Sequence, residues 1–288
     1  MAQLLKGPPV ANSINEKTAL RAAALKEKGV LPTLAILRVG EREDDLSYER
    51  GAMKRCEQVG IAVKNVVLPV DVESDVFFEA LEQLNDDPAV HGILMFRPLP
   101  RHLDEEKARM LLAPEKDVDG CTDGSLAGVF TGSKTGFPPC TAQSAVEILK
   151  YYGVKMKGKR AVVIGRSLVV GRPVAMMLLE QNATVTVCHS KTVDVPSITR
   201  DADIIVTATG QMESIDSSYL GQDQVIIDVG IGWNKAKGRL CGDVLFEDAV
   251  KRALAVTPVP SGVGSVTTSI LASHCVEAAE RTLGSKQR

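Results

Sequence analysis

The chain has 288 residues, 44% hydrophobic and 24% charged, the balance of an ordinary globular protein with room for two modest domains or one large one. A formal net charge of -2 leaves no basic footprint for nucleic acid or an anionic membrane. The six cysteines (Cys56, Cys121, Cys140, Cys188, Cys241, Cys275) form no CxxC pair and the four histidines (His91, His102, His189, His274) no i, i+4 pair, so no metal site is expected. The first residues, MAQLLKGPPVANSINEK, lack the charged start and long apolar run of a signal peptide. No apolar run approaches the roughly 20 residues of a membrane span, so a cytoplasmic protein is expected.

In chain order, residues 14–28 read as a helix and 34–39 (LAILRV) as a strand. A helix over 46–59, ended by Gly60, precedes a strand at 63–68, a helix at 76–84 and a strand at 90–96 (VHGILMF). Pro98, Leu99 and Pro100 stop that series. Residues 112–139 are rich in Gly, Ser, Thr and Pro and read as loop, followed by a connecting helix at 142–152. The pattern restarts with a strand at 161–164, a helix at 173–180 and a strand at 184–188. Strands at 204–208, 225–229 and 253–256 follow, then a helix at 266–283 and a polar tail at 284–288. Such β-α-β spacing predicts an α/β fold with a doubly wound parallel sheet in the second half.

The strongest local signal is AVVIGRSLVVGRPVAMMLLE, residues 161–180. An apolar strand runs into Gly165, and a helix begins near Gly171. Glycine lets main chain approach a pyrophosphate, and a helix N-terminus offers free N–H groups and partial positive charge. The spacing is G-x-S-x-x-x-G, with Ser167 at the second glycine of the usual fingerprint, so the βαβ context carries the assignment. The second strand ends in Cys188-His189-Ser190-Lys191-Thr192, without the carboxylate that NAD enzymes use on the ribose. Ser190 can donate to a 2′-phosphate, and Arg166 or Lys191 can neutralise it, which favours NADP.

Successive blocks then line up in order: LAILRVG, a tyrosine, GILMFRPLP, PEKDVDG and PPCT, followed by GRSLVVGRP, NATVTVCHSKT, ADIIVTATG, VIIDVGI, GDVLFED and TPVPSGVGSVT. Together they resemble the methylenetetrahydrofolate dehydrogenase/cyclohydrolase family over essentially the whole chain. The resemblance implies an N-terminal α/β catalytic domain (residues 1–141 with 266–288), a Rossmann-type NADP-binding domain (142–265), a folate cleft between them, and a homodimer. It implies that the Tyr48 ring stacks on folate and that Asp119 hydrogen-bonds the pterin. It assigns Gly165, Arg166, Ser167, Gly171, Ser190 and Ile231 to the cofactor.

Two departures bear on mechanism. The family carries a lysine four residues after the tyrosine and a glutamine two residues before the P-L-P turn; this chain has Ala52 and Phe96. On a helix, position i+4 lies about 40° from Tyr48 and i+6 about 240° away, so Lys54 points to another face. Hydride transfer from the methylene carbon needs held partners and no protein base. Water addition and ring opening need a placed acid or base, a contribution of typically 10²–10⁴-fold, roughly 3–5 kcal/mol. The expectation is therefore a dehydrogenase of 5,10-methylenetetrahydrofolate with weak or absent cyclohydrolase activity, partnered by a separate cyclohydrolase in the same cell. A fully bifunctional enzyme and a folate- and nucleotide-binding module without catalysis are the alternatives. Milder departures are Asp45 before the tyrosine, Ala142 and Ser144 after PCT, and Ser261 and Ser265 in place of Gly and Pro in the late loop.

Overall fold

The apolar runs become strands of two separate parallel sheets in the computed structural model, which describes residues 2–133 and 135–285. The chain divides into two units: the residues up to Ala11 with Thr141–Thr267, and Asn12–Cys140 with the residues from Thr268 on. Residues 286–288 of the polar tail lie outside the described residues.

The first unit is built on six parallel strands in the order Gln3–Leu4, Ala255–Val256, Val225–Asp228, Ile204–Thr207, Arg160–Ile164, Thr184–Cys188. Its central strands are buried along their whole length, which is why they read as unbroken apolar runs. Val162, Ile164, Ile205, Ile226 and Val256 share one core cluster there. The chain leaves Arg160–Ile164 toward Thr184–Cys188 and returns on its other side to Ile204–Thr207. That reversal opens a crevice at the carboxyl ends of the strands, the place where such sheets bind ligands.

Several short elements here escape the sequence reading. Gln3–Leu4 is a two-residue strand, and Gly232–Asn234 pairs antiparallel with Arg239–Cys241. The helices Val195–Arg200 and Phe246–Arg252 span only 6 and 7 residues, too few to display a helical period.

The second unit holds a three-stranded parallel sheet with Thr33–Val39 between Ala62–Leu68 and Gly92–Met95. Leu34, Ala35, Ile36 and Leu37 of the middle strand are fully buried. Helices Glu43–Val59 and Ser74–Asp86 follow their strands, and Arg21 binds Glu280 through two contacts of 2.9 and 2.6 Å, tying the first long helix to Thr267–Ser285. The first helix spans Gly7–Glu27 and so starts earlier than the expected residue 14. Pro8 and Pro9 fall in its first turn, where a missing N–H breaks no helical bond. The stretch read as loop contains the helix Asp123–Thr131, capped by Thr122 Oγ1, which accepts from Ser125 N–H at 3.1 Å. Its sequence, DGSLAGVFT, has too few large apolar residues to signal a period.

Among the described residues no helix is long and apolar enough to cross a membrane, and all six cysteines are buried thiols outside any disulfide.

Candidate active site

In the first unit a cavity of about 470 Å³ opens where the sheet order reverses. Ile164 ends its strand, and Gly165, Arg166 and Ser167 turn across the mouth; His189 and Ser190 follow the neighbouring strand, and Ala208, Thr209 and Gln211 follow the strand on the other side. Gly165 has φ +134°, and a Cβ there would strike Ala208 O. A Cβ at Gly171 would strike the Gly165 carbonyl, so both glycines are set by close approach of the turn to the helix start. Ser167 Oγ accepts from Val170 N–H at 3.1 Å, closing the turn. The ten-residue helix Gly171–Glu180 begins without a side-chain cap; Arg172 N–H donates to Ser167 O at 3.1 Å and Pro173 has no N–H, so the helix start is tied back to the turn.

Arg166 is exposed and has no ion-pair partner among the described residues, and it lines this cavity together with Ser190. A cation and a hydroxyl on one wall, with no carboxylate beside them, suit a ribose 2′-phosphate. Lys191 is not among the lining residues. The glycine-set turn, the Arg166 guanidinium and the Ser190 hydroxyl together fit a phosphorylated dinucleotide. Gly165, Arg166, Ser167 and Ser190 share the cavity and Gly171 supports its floor, whereas Ile231 is 61% exposed and is not part of that lining.

In the second unit the helix Glu43–Val59 carries three acidic residues in its first turn, favourable against the helix dipole. The buried pair Arg38–Glu49, at 2.6 Å, fixes this helix to the strand Thr33–Val39, and Arg38 also donates to Gly40 O. Tyr48 sits on that helix with its hydroxyl buried and without a hydrogen-bond partner among the described residues. Its ring meets Phe96 edge-on, centroids 5.9 Å apart. Phe96 extends the sheet beyond Gly92–Met95 by donating its N–H to Leu37 O at 3.0 Å. Ala52, one turn after Tyr48, is fully buried, while Lys54 and Arg50 are exposed. Burial holds the Tyr48 phenol well above its ordinary pKa, with the nearby Asp119 adding to the rise, so it stays protonated.

The KDVDG turn divides its polar groups. Lys116 donates to Leu84 O, Asn85 O and Asp87 O at 3.1, 2.5 and 2.8 Å, capping the end of Ser74–Asp86. Asp117 is fully buried and accepts from Cys121 N–H, Thr122 N–H and Ser125 Oγ at 3.0, 2.7 and 2.6 Å. Gly120 takes φ +72°, and any side chain there would collide with Phe137, Pro138 and Pro139, so the PPCT segment crosses directly over the turn. Cys140 Sγ donates to Val118 O at 3.2 Å, and His274 Nδ1 lies 2.8 Å from the same carbonyl. Asp119 lies within this turn, close enough to Tyr48 for its charge to act on the phenol. Burial and then the charge of Asp117 raise its pKa to about 6, against the pull of Arg97.

Sequence reasoning missed His189, Thr209 and Gln211 as cavity residues, although CHSKT and ADIIVTATG were both noted as blocks. The signal was their position after strands that flank the Gly165 strand. Ser261, read as standing in for glycine, keeps the left-handed φ of +77° that such a position demands.

Comparisons with known proteins agree over nearly the whole chain. Residues 5–119 match the model of the tetrahydrofolate dehydrogenase/cyclohydrolase catalytic domain, and residues 139–283 that of the tetrahydrofolate dehydrogenase/cyclohydrolase NAD(P)-binding domain. The chain is 49% identical over 278 residues to the bifunctional protein FolD of Alkaliphilus oremlandii, covering 96% of this chain and 97% of that one. The crystal structure of the Campylobacter jejuni FolD dehydrogenase/cyclohydrolase is similar with a TM-score of 0.94 at 35% identity, covering 98% and 100% of the two chains. The Trypanosoma brucei FolD, solved in complex with NADP cofactor and an inhibitor, is similar with a TM-score of 0.91 at 35% identity over 98% of each. A two-domain α/β fold, the glycine turn over its cavity and these matches lead to one conclusion: the chain belongs to the tetrahydrofolate dehydrogenase/cyclohydrolase family.

Proposed function

We propose that the protein is a cytoplasmic, homodimeric, NADP-dependent dehydrogenase that reversibly converts 5,10-methylenetetrahydrofolate to 5,10-methenyltetrahydrofolate, with weak or absent cyclohydrolase activity. In this reading Gly165, Arg166, Ser167, Gly171, Ser190 and Ile231 hold the dinucleotide, Arg166 and Ser190 taking the 2′-phosphate. The NADP domain, expected at 142–265, is the unit that also takes the residues up to Ala11, and the folate domain, expected at 1–141 with 266–288, is the unit of Asn12–Cys140 with the residues from Thr268 on. When bound there, NADP would supply hydride-transfer chemistry. The Tyr48 ring stacks on the folate, and the Asp119 carboxylate accepts from the pterin N–H groups. Loss of hydride leaves a cation shared by two folate nitrogens, so holding the partners suffices and no protein group need move a proton.

The observation that carries the reading lies at Tyr48: its hydroxyl is buried without a partner among the described residues, its ring packs against Phe96 with centroids 5.9 Å apart, and the residue one turn on is the buried Ala52. Neither neighbour can take or give a proton, and both exclude water. A fully bifunctional enzyme is the second reading, favoured by the naming of the 49%-identical relative as bifunctional. The two separate on the double variant Ala52→Lys, Phe96→Gln. The proposal expects it to raise methenyltetrahydrofolate hydrolysis by about 10²-fold or more while hydride transfer stays within about tenfold. Substantial hydrolysis by the unaltered protein would favour the second reading. In the first reading a separate cyclohydrolase in the same cell is the partner that consumes the methenyl product.

A further inference from the structure

The blocks VIIDVGI and GDVLFED each contribute a buried carboxylate to one network. Asp228 and Asp243 are 3% and 1% exposed. Asp228 Oδ1 accepts from Thr207 Oγ1, Gly230 N–H and Asp243 N–H, each at 3.0 Å, and its Oδ2 accepts from Val244 N–H at 2.9 Å. A Cβ at Gly242 would run into Asp228, and one at Gly230 into Asp243, so both glycines are cut to fit the carboxylates. Asp243 Oδ2 in turn accepts from Thr209 N–H at 2.6 Å. From there a short ladder continues: Glu213 N–H donates to Gly242 O at 2.9 Å, Ile215 N–H to Asp243 O at 3.0 Å, and Leu245 N–H to Ile215 O at 2.8 Å. The laced segment, residues 208–215, supplies Thr209, Gln211, Ser214 and Ile215 to the cavity, whereas neither aspartate is among its lining residues.

We propose that Asp228 and Asp243 are positioning residues of the nucleotide site, setting the main-chain course of residues 208–215 through segment 242–245. The inference rests on the reading of that cavity as the NADP site. A buried carboxylate with this many main-chain donors has one low-energy arrangement, since each N–H it releases would be left unpaired. The network thus fixes the far wall of the cavity against the Gly165 turn before any ligand arrives.

Hydrogen exchange on the full, unaltered chain with and without NADP tests this. Protection should rise in 208–215 and equally in 242–245, which does not line the cavity. Protection confined to 208–215 would overturn the inference and leave the NADP reading intact; no NADP binding at all would instead sink that reading. In kinetics, Asp243→Ala should raise KM for NADP about tenfold with folate KM and kcat within about twofold, and Asp243→Asn, which keeps an oxygen for Thr209 N–H, should return KM to within about threefold of the parent. A folded alanine variant with unchanged NADP KM, or one whose folate KM moves as far, contradicts the role. If the alanine variant does not fold, the exchange pattern of the unaltered chain decides.

Discussion

Asp119 shows what the surrounding residues do to one side chain. Asp117, two positions earlier, takes three donors and is consumed by the turn, while Asp119 is held nearby with its pKa raised to about 6 by burial and by Asp117. The sign of the consequence follows. A folded-state pKa above the unfolded value of 3.8 means that the folded chain keeps a proton the unfolded chain has lost. Stability therefore falls as pH rises from about 4 through 6, and above that the ionised carboxylate costs at most about 3 kcal/mol. In the proposed function its charge serves the substrate rather than the fold. In the proposed role only the ionised form accepts from the pterin, so kcat/KM for folate should fall about tenfold per pH unit below about pH 6. Asp119→Asn should flatten that limb and be no less stable than the parent at neutral pH; a pH–rate profile paired with denaturant titration checks both. An unchanged acidic limb in the asparagine variant would remove Asp119 from the folate site.

At the scale of elements, the helix Glu43–Val59 owes its placement to the Arg38–Glu49 pair, whose side chains are only 7% and 9% exposed. Removing one partner strands a buried charge, so Arg38→Met alone should cost about 3–5 kcal/mol in denaturant unfolding. The double replacement Arg38→Met, Glu49→Leu should recover most of that loss, because an apolar pair of similar volume needs no desolvation. If the double variant is as unstable as the single one, the pair contributes through specific geometry beyond charge compensation. This helix was legible in the sequence because its apolar stripe and the closing Gly60 are local signals. So were the buried parallel strands, whose continuous apolar runs leave little alternative. The helix Asp123–Thr131 was not, since small residues and a threonine cap hide its period. The N-terminal strand Gln3–Leu4 was not either, because two residues become a strand only when Ala255–Val256 is already there to pair with.

For the whole molecule, the family and the two-domain α/β architecture were readable from ordered motifs, while the division of labour inside each motif was not. GDVLFED could be matched as a block, but the hydrogen bond from Thr209 N–H to Asp243 joins residues 34 positions apart and exists only in the folded chain. Likewise Ala52 and Phe96 are visible in one dimension, while the burial of the Tyr48 hydroxyl and the packing of its ring against Phe96 exist only in the folded chain. The central claim is that a pocket of this composition moves a hydride and leaves water out. The most direct measurement supplies the purified protein with methylenetetrahydrofolate and NADP and follows NADPH and methenyltetrahydrofolate together. In the proposed function methenyltetrahydrofolate accumulates one for one with NADPH and then decays no faster than in buffer alone. Methenyltetrahydrofolate that disappears in proportion to the amount of protein added would contradict it.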